Sequence, residues 1–484
     1  MTDLRNAMKQ CCFLLFILCA TSTFIAAQPG PAVSAQASVT IHTNTKLYKI
    51  HPDFWGTNLL FWVDDDASLA DGQIVKGLKD VQMKLLRFPG GTVADNYHWQ
   101  TNKLENIHMF PFEDGTDQTD FDEFMKVCAK VGAEASCVLN TETWAVKKDI
   151  AGGAHEAANW LRYCKKKGYK VKYWEIGNET YWHPVMTASA YADLINVYAD
   201  SLRRIDPNII LGINGHWNVD FVGTAERIKP EAYQQVMAYR NDIKSRTDDS
   251  RYKKFLEAST IKPLTKGNVK WWQTLADKCG KNIDMIIIHW YFGENQLPDV
   301  SNKLLQVRDL FTKMYPGKNF LVNMSEYNVT ERSERSPVQL TEMIGAMLNG
   351  KVDLSNLWPM RMKYKKPTLF EMGTNNTSNV YQIHKHLAEN LKGNLVQTIS
   401  GNVPAFTSHD GQSMTTVLTG SQIKETTSVA IQTAEKQKFN SCSVWRINSK
   451  SEFDYEVKEE NVAVKNGVLN LNIQPLEVAI AVFK

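Results

Sequence analysis

From residue 51 onward the chain alternates between short apolar runs and longer amphipathic ones. The short runs are "FWGTNLLF" (54–61), "MKLLRF" (83–88), "ASCVLN" (135–140), "KYWEIGN" (172–178), "IILGIN" (209–214), "DMIIIHWY" (284–291), "NFLVNMSEY" (319–327) and "DLSNLWPM" (353–360). They are apolar at successive rather than alternate positions, which predicts strands buried on both faces, as in a parallel sheet. The stretches between them, 67–82, 119–131, 153–167, 187–204, 266–280, 300–314, 337–350 and 379–392, are of helix length and amphipathic. Repeated strand-then-helix units of this kind fit an α/β class protein, a closed (β/α)8 TIM barrel over 51–392, better than an open sheet.

The two ends of the chain follow another period. "SVTIHTNTKLYKI" (38–50) alternates as a lone strand would. The last ninety or so residues, 393–484, hold short strands such as "MTTVLTG", "TSVAIQT", "VLNLNI" and "VAIAVFK" divided by turn residues, which predicts a β-sandwich domain that the early strand joins. Within the barrel, the segment 215–265 is long and charged ("RNDIKSRTDDSRYKKF"). It follows the fifth strand, on the face where barrels carry their sites, and reads as an insertion or a cover.

Charge and composition exclude more than they assign. Lys and Arg number 55 against 52 Asp and Glu, for a net charge of +3 without a long like-charge block, so no nucleic acid is expected as a partner. Aromatic residues are plentiful, with 13 Trp, 17 Tyr and 20 Phe, and serve either a large core or the stacking of sugar rings. The N-terminus carries Arg5 and Lys9, then the nearly uncharged "CCFLLFILCATSTFIAA", then the small, Pro/Gly-rich "QPGPAVSAQ" (28–36), the pattern of a signal peptide over 1–27 and a linker over 28–37. That predicts a secreted or periplasmic protein with no membrane span in the mature chain. The apolar segment is short for a span, and bulky Leu18 before Cys19 disfavours a lipid anchor. Cys128, Cys137, Cys164, Cys279 and Cys442 then remain, scattered and without CxxC spacing, which argues against a zinc site and for buried thiols. Cys128 and Cys137 could pair, but the second lies inside an apolar strand run.

In a barrel the polar residues at the carboxyl ends of the strands point into the mouth. Strand by strand these are Asn58, Arg87, Asn140, Asn178 with Glu179, Asn214, His289 with Tyr291, Glu326 and Trp358. The acids Glu179 and Glu326 follow the fourth and seventh strands, which places them across the mouth from each other. A pair of carboxylates so placed suits glycoside hydrolysis, where one protonated acid serves the leaving oxygen and one ionised acid attacks or activates water. Arg87 near one carboxylate would lower its pKa, and aromatic surroundings such as Trp174 and Trp182 would raise the other. Glu175, inside the fourth strand, reads instead as a buried structural partner for Arg87 or Lys84. No His/Cys/Asp cluster has metal-ligand spacing, so neither a catalytic metal nor a cofactor is expected.

The stretches "LLRFPGGTVADNYHW", "WEIGNETYW", "IIIHWYF" and "MSEYNV" resemble the strand-end motifs of clan A glycoside hydrolases, above all the family 51 α-L-arabinofuranosidases, with families 39 and 79 related. The resemblance implies a retaining glycosidase on a plant or algal polysaccharide or oligosaccharide. Glu179 would be the acid/base, Glu326 the nucleophile held by Arg87 and Tyr291, and Asn178 the ligand of the hydroxyl beside the anomeric carbon. His289, Trp99 and Trp358 would line the pocket, with Asn140 and Asn58 among the substrate contacts. Ser325 stands where that family commonly has Asp, and "HWQTNKLENIHMFPFEDG" replaces its glycine-rich segment. The alternatives are an endo-acting clan A hydrolase, such as a galactanase, agarase-like enzyme or glucuronidase, and a catalytically silent carbohydrate-binding barrel.

Overall fold

The computed structural model describes residues 34–64, 69, 72–105, 118–182, 186–223, 269–293, 297–330, 332–363, 366–435 and 439–484. The expected signal peptide, the start of the linker and most of the 215–265 insertion lie outside these residues.

Eight strands close into a barrel in which every neighbour is parallel and consecutive in the chain. They are Trp55–Asn58, Leu85–Phe88, Glu134–Leu139, Val171–Ile176, Ile210–His216, Met285–Tyr291, Leu321–Asn328 and Leu354–Leu357. Each lies within a residue or two of an apolar run, because strands covered by helices outside and by each other inside leave no face for water. The helices alternate with them: Gln73–Asp80, Phe121–Val131, Ile150–Lys167, Ala188–Arg203, Trp271–Cys279, Leu297–Met314, Ser336–Asn349 and Asn379–Asn390. Local chemistry sets their ends. The second begins on a capping box, Asp120 with Glu123, and stops at Gly132, whose φ of 78° suits glycine. A short helix, Glu142–Lys147, follows the third strand where no helix was expected.

The barrel interior is layered. Its apolar floor joins Leu85, Tyr173, Met285, Ile287 and Leu354, contributed by the second, fourth, sixth and eighth strands. Two residues further along each strand, the side-chain period of 2 brings Arg87, Glu175, His289 and Asn356 to the same face. The floor therefore gives way to a polar layer that has to satisfy itself by hydrogen bonding.

The C-terminal strands form one continuous nine-stranded sheet, not two separate ones. The early strand starts at Ser34, ahead of the expected 38, and runs to Lys49 between Asn394–Ser400 (antiparallel) and Thr427–Thr433 (parallel). One core unites Val39, Ile41, Val429, Ile431 and Leu471 with Val444, Ala481 and Phe483 from strands at the other end of the sheet. At about 4.8 Å per strand a flat sheet would keep these apart, so the sheet is folded over on itself around that core. Its outer face meets the helices of the barrel, where Trp445 stacks on His386 at 4.1 Å and Glu452 accepts from the Thr368 amide at 2.8 Å. A cavity of about 510 Å³ lies along this seam, between Leu297, Glu342 and Phe406, away from the barrel mouth. All five described cysteines are free and buried, Cys128 and Cys137 included. No described helix is long and apolar enough to cross a membrane.

Because the early strand carries two ladders at once, it is the fastening of the sandwich. Ile41→Ala, at a fully buried position, is expected to cost about 2–5 kcal/mol, read as a shift in the urea unfolding midpoint. A loss within experimental error would mean that the strand merely lies against the domain.

Candidate active site

Arg87 leaves the second strand into the barrel with no solvent exposure. Its Nε donates to Glu175 Oε2 at 2.9 Å, its Nη1 to Glu326 Oε1 at 2.9 Å and to Asn58 Oδ1 at 3.0 Å, and its Nη2 to Asn178 Oδ1 at 2.8 Å. A planar fork of five N–H donors is thus shared among the first, fourth and seventh strands. Burial alone would favour the neutral form, yet Glu175 and then Glu326 hold the guanidinium pKa above its ordinary value. Glu175 is held in turn by the Ser136 hydroxyl at 2.9 Å and the Asn323 amide at 3.4 Å.

Two backbone irregularities aim the acids. Beyond the fourth strand, Gly177 has a φ of 75° and Glu179 a φ of 43°, a left-handed conformation rare outside glycine and frequent at functional sites. A Cβ at Gly177 would lie 2.6 Å from Thr141 Oγ1 and 2.8 Å from Thr180 Oγ1, so only glycine fits there. Asp95 accepts from the Asn178 amide, with oxygens at 3.0 and 3.1 Å, and Asn214 Oδ1 accepts from the Thr180 amide at 2.7 Å. On the seventh strand Ile288 pairs with Met324 and His289 with Glu326, leaving Ser325 as the extra residue of a bulge.

The result is a compact acid–imidazole–acid group. Tyr291 donates to Glu326 Oε2 at 2.7 Å. His289 sets Nδ1 3.0 Å from Glu179 Oε1 and 3.6 Å from Glu326 Oε2, with Nε2 3.0 Å from Ser325 Oγ. Ligand atoms of Glu179, His289 and Glu326 all lie within 4.8 Å of one another, the one such convergence of three His, Cys, Asp or Glu side chains among the described residues. Arg87 on one oxygen of Glu326 and two engaged nitrogens on His289 make this a group for handling protons. Exposure separates the acids: the Glu179 side chain is 26% exposed and that of Glu326 5%. Tyr181 is buried beside them, and burial first, then Glu179 and Glu326, raises its hydroxyl pKa well above the usual value.

The other expected residues take varied places. Trp358 covers the Pro-Gly-Gly turn so closely that a Cβ on Gly91 would lie 2.5 Å from its ring. Asn178 keeps a buried Nδ2 donor without a partner among the described residues. Asn58 does not face the mouth: its Oδ1 takes Arg87, and its Nδ2 donates to the Ser325 and Leu357 carbonyls at 3.0 and 3.2 Å. Trp99 stacks on Trp160 in the helix layer, with centroids 5.8 Å apart, and shares with Asn140 a cavity of about 10 Å³, room for one water. Trp174 points outward against Trp160 and away from the acids. Asn214 braces the Glu179 turn, its Nδ2 meeting the Ile176 carbonyl at 3.1 Å and the Tyr191 hydroxyl at 2.8 Å.

Two features go beyond the sequence reading. His216 and Phe221 join the expected Trp182 in an aromatic wall on the Glu179 side, where Trp182 is 59% exposed. Burial lowers the His216 pKa to about 4, which keeps the imidazole neutral. On the Glu326 side, the Lys366 ammonium lies 3.1 Å from the centroid of the Tyr291 ring. Burial pulls its pKa down to about 8, against the opposing pull of Glu326 and Glu179.

Comparison with known proteins bears on the fold and on the first half of the barrel sequence. The family model described as the alpha-L-arabinofuranosidase 1 domain matches residues 77–256, a span that holds Arg87, Asn178 and Glu179 and stops short of Glu326. A protein of Aspergillus niger named "Probable alpha-L-arabinofuranosidase C" is 29% identical over 234 residues, 40% of this chain and 43% of its own length. The "Intracellular exo-alpha-L-arabinofuranosidase" of Bacteroides ovatus is 24% identical over 236 residues, 40% of this chain and 44% of its own. These matches span less than half of either relative. Among solved structures, the thermostable family 51 α-L-arabinofuranosidase of Thermotoga petrophila superposes with a TM-score of 0.70 over 93% of this chain and 100% of that one. At 16% identity that likeness carries the fold, a barrel with an appended sheet domain.

The buried ion network makes a stability prediction that is independent of any activity. Glu175→Ala leaves the Arg87 charge short of a partner in a fully buried site and is expected to cost about 3–5 kcal/mol by denaturant unfolding, whereas Glu175→Gln, which keeps an acceptor, is expected to cost less. Equal losses would mean that the charge of Glu175 is immaterial.

Proposed function

We propose that this family 51 α-L-arabinofuranosidase-like chain is a retaining glycoside hydrolase, cleaving glycosidic bonds of a plant or algal polysaccharide or its oligomers. The observation that carries the reading is the approach of Glu179 and Glu326, whose ligand oxygens lie within 4.8 Å. Carboxyls about 5–5.5 Å apart suit a nucleophile and an acid/base, whereas an inverting pair stands about 6.5–9.5 Å apart to admit a water.

The chemistry then divides by position. Glu326, enclosed and held by Arg87 and Tyr291, attacks the anomeric carbon while the bond to the leaving oxygen breaks and Glu179 gives that oxygen its proton. In the second step Glu179, now a carboxylate, takes a proton from water as that water attacks the same carbon, and Glu326 leaves as a carboxylate. The greater exposure of Glu179 suits the group that must exchange protons with solvent. The free Nδ2 of Asn178 suits the sugar hydroxyl beside the anomeric carbon.

His289 stands between Glu179 Oε1 and Ser325 Oγ, each 3.0 Å from one of its ring nitrogens, so the imidazole is held in place beside the acid through both steps. The N-terminal pattern of Arg5, Lys9 and the apolar stretch behind them supports a secreted or periplasmic location for the enzyme.

A screen of aryl glycosides and polysaccharides tests the reading. Glu326→Ala should lose roughly four orders of magnitude or more in kcat. Added azide should return a glycosyl azide of inverted configuration from Glu326→Ala and of retained configuration from Glu179→Ala. Activity in Glu326→Ala equal to that of the parent would sink the mechanism. Tyr291→Phe removes one of the donors to Glu326 and should lower kcat/KM about 10- to 100-fold with the fold intact by circular dichroism.

A further inference from the structure

Lys366 belongs to the loop after the eighth strand and reaches the face of Tyr291, the ring whose hydroxyl holds Glu326. It is partly buried, and among the described residues its ammonium has no carboxylate within ion-pair distance. The two acids of the site, Glu326 and Glu179, favour its charge only from a distance. Glu326 already takes Arg87 on one oxygen and Tyr291 on the other, and Glu179 presents Oε1 to His289. The site's other cation, Arg87, is taken up by Glu175, Glu326, Asn58 and Asn178.

An ammonium drawn partly out of water onto an aromatic face, with no carboxylate in ion-pair contact, still lacks a full counter-charge, and a cation serving only a sugar hydroxyl could be replaced by a neutral donor. The depressed pKa of Lys366 records that cost, and an arriving anion removes it. We propose that Lys366 receives a carboxylate of the substrate, so that the glycan taken at this site is acidic, carrying a uronic acid on the sugar held at Glu326 or on one linked to it. The proposal rests on the glycosidase reading above. It adds to that reading the substrate's charge, about which the arabinofuranosidase likeness says nothing.

The test uses the full chain with three probes: 4-nitrophenyl α-L-arabinofuranoside, a pectic polysaccharide with its uronic carboxylates free, and the same polysaccharide after reduction of those carboxyls to alcohols. The wild type should release sugar from the acidic form with a kcat/KM about 10- to 100-fold above that for the reduced form, the range of one charge-assisted contact. Lys366→Met should collapse that ratio, chiefly through KM, and Lys366→Arg should restore part of it. An acidic-to-reduced ratio near one in the wild type, a ratio unchanged in Lys366→Met, or an Arg variant indistinguishable from Met would each overturn the proposal while leaving Glu326-dependent hydrolysis standing. If no probe is cleaved in a manner that Glu326→Ala abolishes, the glycosidase reading falls and this inference falls with it.

Discussion

The site depends on one buried guanidinium. Arg87 meets an acid on the fourth strand, an acid on the seventh and amides beyond the first and fourth, so its position fixes the relative placement of segments that come together only when the barrel closes. A lysine could not substitute, because its three donors diverge from a single point and cannot reach a planar set of acceptors. Glu175 is the condition on which this works. Without a carboxylate committed to structure, the whole positive charge would fall on Glu326 and bind the acid too firmly to a role as ion-pair partner. Glu175, the first acid of the stretch "WEIGNE", is thus what frees the seventh-strand acid for chemistry.

Around that fixed point, regular secondary structure delivers almost everything and local departures deliver the rest. Ideal strands would carry the acids upward along the barrel wall. The left-handed turn at Gly177 and Glu179 swings one carboxylate inward over the mouth, and the bulge at Ser325 rotates Glu326 to meet it. Asp95 and Asn214 satisfy the amides that the turn exposes. The strain at Glu179 is therefore held by hydrogen bonds on both flanks.

How much of this could be read from the sequence follows from the range of the forces involved. The eight strands and helices were legible because burial on both faces writes itself into consecutive residues. The acids, Arg87 and Tyr291 were legible because a strand end in a barrel has only one place to point, and Glu175 was legible as a partner for Arg87 from its place inside the strand. The hidden parts depend on distant segments. Asn58 and Asn214 look like any other strand-end amide, and only the fold reveals that their bonding capacity is spent on the Ser325 carbonyl and on the Thr180 amide. Nothing local marks Lys366, whose importance comes from a ring 75 positions earlier in the chain. The folding of the sandwich from a single sheet was hidden too, since alternating strands predict a buried face and not the partner of that face.

In the proposed double displacement the same contacts would let one carboxylate serve as nucleophile and leaving group in turn. Hydrogen bonds to charged groups are worth about 1.5–3 kcal/mol each, so Arg87 and Tyr291 stabilise Glu326 most when it is ionised. That makes attack harder than it would be for a bare carboxylate, and makes departure from the glycosyl ester easier by a comparable amount. In a double displacement the two steps pass through similar transition states in opposite directions, and an enzyme gains nothing by an intermediate that is too stable. Glu175 keeps Arg87 partnered through both steps, because its charge does not change when that of Glu326 does. The ester could therefore form and break with little rearrangement beneath it, the proton exchanged in each step being carried by Glu179, the more exposed of the two acids.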